Sequence, residues 1–164
     1  MSSIDFLENK TFAEIKVGDT AVFKQRLEEK HLSLFAAVSG DVNPVHLDQA
    51  FAQTTPFKER IAHGMWSGAL ISAAIATTLP GPGTVYLGQT LKFVRPVKLG
   101  DTLTVTLEVK EKIEKKNRVI LTCTVNNQDD KAVVIGEADV MAPSEKIKVA
   151  KPQLPEIQIA GNSV

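Results

Sequence analysis

The stretch from Gly64 to Leu79 constrains this chain more than any other, because it is apolar on nearly every side and rich in alanine, glycine and serine. A helix with that surface has to be enclosed, with other elements approaching its backbone from several directions. Ser67, Gly68, Ser72, Thr77 and Thr78 interrupt the apolar run, which is also shorter than the roughly 20 residues a bilayer requires, so a buried helix of a soluble fold is expected. Pro80-Gly81-Pro82-Gly83 ends that helix. From there to Ala142 apolar and polar residues alternate, with Leu103, Val105, Leu107 and Val109 on one inward face. Turns at Leu99-Gly100-Asp101 and at Asn127 to Lys131 divide this half into three or four long strands, consecutive and therefore antiparallel at least in part. A helical first half and a sheet second half predict an α+β fold, in which the sheet curls around one apolar helix and both bury a face together.

Upstream, Gly18-Asp19 reads as a turn and Ala21 to Leu27 as a short strand. Glu29 to Ser39 then sets Leu32, Phe35, Ala36 and Ser39 on one helical stripe, and Gly40 stops it. Asp41 to Arg60 is polar and proline-containing, with one apolar turn around Ala50 to Ala52, and reads as an ordered loop that carries function. Residues 1–143 are expected to form one domain. The lysine- and proline-punctuated segment 144–164 is expected to be a linker or C-terminal arm, with the alternating Ile157 and Ile159 as the alternative of an added strand.

With 164 residues and 19 basic against 19 acidic side chains, the chain has no net field to draw it to nucleic acid or an anionic membrane. The N-terminal MSSIDFLENK lacks the basic and apolar regions of a secretory signal, and the single cysteine, Cys123, falls on the buried face of a strand as an inert thiol. A reducing setting, a bacterial-type cytoplasm or an organelle matrix, is therefore expected, with the cytoplasm preferred, and there the acceptor pattern Asn9-Lys10-Thr11 carries no chemistry.

The densest polar cluster is Ser39-Gly40-Asp41-Val42-Asn43-Pro44-Val45-His46-Leu47-Asp48. Gly40 and Pro44 exclude a continuous helix, so a bend can bring the Asp41 carboxylate and the His46 imidazole around one water, with Asn43 bracing the loop. The composition equally fits a capping aspartate and a structural histidine. A second element favours chemistry: Ile61-Ala62-His63-Gly64-Met65 places a glycine in the first turn of the buried helix, where backbone N–H groups lack acceptors and the dipole is positive. A thioester oxygen gaining charge would rest on the Gly64 N–H in a water-poor pocket. The parts suit addition of water to an α,β-unsaturated thioester, with acid and base roles divided between Asp41 and His46. His63, Met65 and Ser72 are candidate substrate contacts, and Trp66, Ile75 and Val140 candidate acyl-pocket walls. Asp41, His46 and His63 as metal ligands lack a paired spacing such as H-x-x-x-H, so no metal is expected. A serine nucleophile lacks a G-x-S-x-G elbow, and Gly81, Gly83 and Gly88 stand in the wrong order and spacing for a phosphate loop.

SGDVNPVH (Ser39 to His46), Ala62-His63-Gly64-Met65, Tyr86-Leu87-Gly88-Gln89 and Phe93-Val94-Arg95-Pro96-Val97 together resemble the MaoC-like (R)-specific enoyl-CoA hydratases, over about Phe12 to Pro143. The resemblance implies a hot-dog fold, a homodimer whose sheets join, and reversible syn hydration of trans-2-enoyl-CoA to (R)-3-hydroxyacyl-CoA without a cofactor beyond the CoA of the substrate. It implies Asp41 and His46 as the catalytic pair, Asn43 as loop support, Gly64 as the oxyanion amide and Ser72 as an active-site contact. The segment Ala142-Pro143-Ser144-Glu145-Lys146 resembles the junction to a fused phosphate acyltransferase. A dehydratase of acyl-carrier-protein substrates, a hot-dog thioesterase and a non-catalytic acyl-thioester-binding module are the alternatives.

Overall fold

The computed structural model describes residues 5–160. In chain order it contains β1 (Phe6–Glu8), β2 (Thr20–Arg26), α1 (Glu29–Ser39), α2 (Pro44–Leu47), α3 (Gln49–Thr54), α4 (Gly64–Thr77), β3 (Val85–Phe93), β4 (Thr102–Ile113), β5 (Arg118–Asn126), β6 (Ala132–Met141) and β7 (Lys148–Ala150). β2-β4-β5-β6-β3 form one sheet in that order, and each neighbouring pair is antiparallel.

Alternation decides which face of the sheet meets α4. Leu103, Val105, Leu107 and Val109 of β4 are sealed from solvent, as are Val119, Leu121, Cys123 and Val125 of β5. Against them α4 presents Trp66, Leu70, Ile71, Ala74 and Ile75, and the two sets form one continuous core. A strongly curved antiparallel sheet wrapped on a central apolar helix is the hot-dog arrangement. Burial pushes the Cys123 thiol up to about 11, which keeps it protonated and inert.

The ends of α1 follow local rules. Glu28 and His31 make a capping box at its start, and Gly40 closes it with φ 76°, a left-handed conformation that glycine adopts without steric cost. The polar segment that follows is not one loop but two short helices. Asn43 accepts from the Val45 N–H at 3.2 Å to start α2, with Pro44 in its first turn, and Asp48 accepts from the Phe51 N–H at 3.0 Å to start α3.

The segment after Pro143 begins as an integral part of the fold. β7 pairs antiparallel with β1, a strand three residues long. Asn9, 3 % exposed, joins the layers: its amide donates to the Pro82 and Glu145 carbonyls and its Oδ1 accepts from the Ile147 N–H. That side chain is a structural hub with no room for a glycan. Lys146 adds ion pairs to Glu8 and Glu14. Residues 151–160 are exposed and form no helix or strand, so Ile157 and Ile159 do not make the added strand, and residues 161–164 of the expected arm lie outside the described residues. Among the described residues no helix is long and apolar enough to cross a membrane.

Candidate active site

A turn of side-chain caps builds the polar loop. The Asp41 N–H donates to Ser39 Oγ at 3.2 Å, and the Asp41 carboxylate accepts from the Asn43 N–H at 3.1 Å. Asn43 then caps α2, which turns His46 inward until it is 7 % exposed. The His46 Nδ1 lies 2.8 Å from the Ile61 carbonyl. A carbonyl only accepts, so the ring carries its hydrogen on Nδ1 and a lone pair on Nε2. That Nε2 faces the Asp41 carboxylate, with Oδ2 at 3.9 Å. Burial is the main reason the His46 imidazole is held below its usual value; the Ile61 bond and Asp41 oppose the shift, and His63 adds to it.

The strand-like segment before α4 is tied on both sides. The Ile61 N–H reaches the Val45 carbonyl at 3.4 Å, and the Ala62 N–H the Val97 carbonyl at 2.8 Å. Gly64, the first residue of α4, therefore starts the helix beside His46. Both line a cavity of about 340 Å³ whose other walls come from His63 and Ser67, from Phe93 to Val97, and from Phe57 and Val134. A side chain at Gly64 would bring its first carbon within 3.2 Å of the Phe93 ring, so glycine leaves the amide approachable.

Asp41, His46, Asn43, His63 and Gly64 are thus brought together, and Met65, Trp66, Ser72 and Ile75 are not. Trp66 and Ile75 belong to the core, Trp66 stacked on His31 at 5.8 Å between ring centres. Met65 is 57 % exposed and Ser72 faces outward. Ser72 lies two turns from Gly64 by count, yet eight steps of 100° leave it about 80° away around the helix. Ser67, one turn from Gly64 and 1 % exposed, occupies the cavity face instead. Phe93 and Arg95, part of the last motif that carries the resemblance, complete the opposite wall from the end of β3.

Asp41, His46 and His63 offer one ligand atom each within 4.8 Å of the others. The two rings are stacked, 3.9 Å apart and inclined by 30°. One nitrogen of each ring is engaged by a carbonyl, which leaves the His46 Nε2 beside the Asp41 carboxylate.

A family model described as "MaoC like domain" matches residues 11–131. The chain belongs to the MaoC-like family. Among curated relatives, this MaoC-like domain is 46 % identical over 144 residues to an (R)-specific enoyl-CoA hydratase of Rhodospirillum rubrum, covering 87 % of this chain and 98 % of that one. It is 44 % identical over 135 residues to a 3-hydroxybutyryl-CoA dehydratase of Methylorubrum extorquens, covering 82 % and 85 %. The unliganded R-hydratase PhaJ1 of Pseudomonas aeruginosa superposes with a TM-score of 0.92 at 62 % identity, covering 95 % of the MaoC-like domain's chain and all of its own. The first and third of these proteins are spanned almost end to end, so neither includes a fused acyltransferase and neither supports that expectation.

Proposed function

We propose that this chain is an (R)-specific enoyl-CoA hydratase that reversibly adds water across the 2,3 double bond of a trans-2-enoyl-CoA to give the (R)-3-hydroxyacyl-CoA. The observation that carries the reading is the free Nε2 of His46 facing the Asp41 carboxylate at 3.9 Å, beside a cavity that also exposes the first amide of α4. At that spacing the two groups do not bond each other directly, and a water oxygen within hydrogen-bond reach of both is oriented by both. As its oxygen attacks C3, the pair takes one proton. The thioester oxygen gains charge and is held by the Gly64 N–H with the helix dipole behind it. The proton held by the pair returns to C2 on the side from which water came, so OH and H add syn and no charge remains. Because burial keeps His46 neutral near pH 7, it can accept the water's proton without first losing one. The reaction draws on no metal and no prosthetic group.

The proposal includes a homodimer acting in the cytoplasm. Among the described residues β3 ends the sheet with a free edge, and Val85 and Leu87 on it are 47 % and 48 % exposed. Met65, Ser72 and Ala76 form an outward stripe on α4. A second copy set edge to edge against β3 covers both surfaces and brings Met65 and Ser72 into the dimer boundary. The buried free thiol of Cys123 fits a reducing compartment.

The test is the enone absorbance of crotonyl-CoA. Wild type is expected to bleach it, and Asp41→Asn and His46→Gln are not. Release of free CoA thiol without 3-hydroxybutyryl-CoA would make the protein a thioesterase and overturn the reading.

A further inference from the structure

His63 is the N-cap residue of α4, yet its side chain makes no capping hydrogen bond. The ring turns away, 2 % exposed, and its Nε2–H donates to the backbone carbonyl of Asp41 at 3.0 Å, 22 positions earlier in the chain. One face of it lies on His46 at 3.9 Å and it also meets Phe35 at 5.0 Å. Its Nδ1 is buried with no hydrogen-bond partner. A bare buried nitrogen costs stability, and a leucine or methionine would fill the space without it, so the stability of the fold alone does not account for a histidine here.

Three parts of the proposed chemistry meet at this one residue. Its ring fixes the carbonyl of the residue that bears the carboxylate, it packs on the imidazole, and its own carbonyl carbon is bonded to the Gly64 nitrogen. The loop and the start of α4 are otherwise separate pieces of chain; the His46–Ile61 and Ile61–Val45 hydrogen bonds join them at the α2 end, and the His63 bond reaches the Asp41 end. Ring polarity is fully committed or sealed, which leaves no polar atom of His63 for a substrate.

We infer that His63 is a positioning residue, which holds the Asp41–His46 pair at a fixed distance from the Gly64 amide through its hydrogen bond to the Asp41 backbone, and that it does not bind substrate. This rests on the assignment of Asp41, His46 and Gly64 given above. Positioning acts on the transition state: an error of about 1 Å in reacting groups costs on the order of 100-fold in rate while leaving ground-state binding nearly unchanged.

The experiment compares His63→Gln with His63→Met on crotonyl-CoA in the full-length protein, with Asp41→Asn alongside. Glutamine and methionine have similar length and volume, and only glutamine offers an N–H to the Asp41 carbonyl. His63→Met is expected to lower kcat by about 30- to 100-fold with KM within about twofold of wild type, and His63→Gln to recover at least about tenfold of that loss. Should His63→Met not melt cooperatively, His63→Phe takes its place, since it keeps the stacked ring and drops the donor. Equal kcat in the donor-bearing and donor-free variants overturns the positioning role, and so does a loss confined to KM, which would make His63 a substrate contact. If Asp41→Asn keeps the wild-type rate, the assignment of the pair falls and the His63 role with it; if Asp41→Asn is inactive while the donor-free variant keeps its kcat, only the His63 role falls.

Discussion

The two flanks of α4 answer to different physics. Along its length, Leu70, Ile71, Ala74 and Ile75 are packed against β4 and β5 with almost no exposure and no polar partner needed. At its N-terminus the helix meets two histidines, each 7 % exposed or less, with only one ring nitrogen of each bonded to a carbonyl. The first region shows what the fold needs for stability. The second leaves the His46 Nε2 beside the Asp41 carboxylate without a close hydrogen-bond partner and the first amide of α4 uncapped, groups that the proposed chemistry uses. A mutation in one region should therefore move stability, and a mutation in the other should move rate.

The largest expected effect tests that separation at the polar end. Asp41→Asn keeps the Oδ1 that accepts from Asn43 and removes only the charge. Turnover of crotonyl-CoA should fall by about 10³-fold, while the thermal midpoint changes by no more than about 2 °C. A large drop in the midpoint would merge the two regions into one. At the apolar end, Leu107→Ala removes a fully buried side chain and should cost about 3 kcal/mol in denaturant unfolding, with kcat of the folded fraction close to wild type.

Gly64→Ala sharpens the boundary between the regions. Alanine is a better helix former and its methyl would stand 3.2 Å from the half-exposed Phe93 ring, which can yield, so stability should change little while the approach to the amide narrows. A roughly tenfold loss of kcat without loss of stability is expected, read from kinetics and melting together.

The smallest effect is in pH. His46 is held below its ordinary value, mainly by burial, so its base form persists down to at least about pH 6.5 and the acid limb of kcat/KM should lie below that. The sign for stability follows. Between the lowered folded value and about 6.5 the unfolded chain binds more protons than the folded one, so stability is full above that range and declines as pH falls through it. His46→Gln, expected to be inactive in turnover, should remove that part of the stability slope, read by denaturant unfolding across the same pH range.

Much of the architecture was legible because it rests on periodicity and on residues with one strong local preference. The alternation in β4 and β5, the enclosed character of α4 and the glycine that closes α1 each have a single physical cause. α2 and α3 were less visible, since helices of four and six residues have too few turns for a stripe and depend on the caps Asn43 and Asp48. The β1–β7 pair joins the two ends of the chain, which no local pattern reports. Ile157 and Ile159 alternate as a strand would, but among the described residues no edge pairs with them. Within the site, the offsets of Asp41, Asn43 and His46 were readable because Gly40 before them and Pro44 among them exclude a continuous helix. The choice between Ser67 and Ser72 turned on helical phase, and the Phe93 wall on long-range strand pairing.

The central claim is that one face of the substrate meets both members of the pair, while the Gly64 amide holds the thioester oxygen. Hydration of crotonyl-CoA in D₂O, with the product analysed by proton NMR after conversion to a rigid cyclic derivative, tests it most directly. The account predicts a single (R)-3-hydroxy product carrying one deuterium at C2, on the same side as the new hydroxyl. Deuterium on the opposite side, or divided between both, would place the acid and the base on different faces and contradict it.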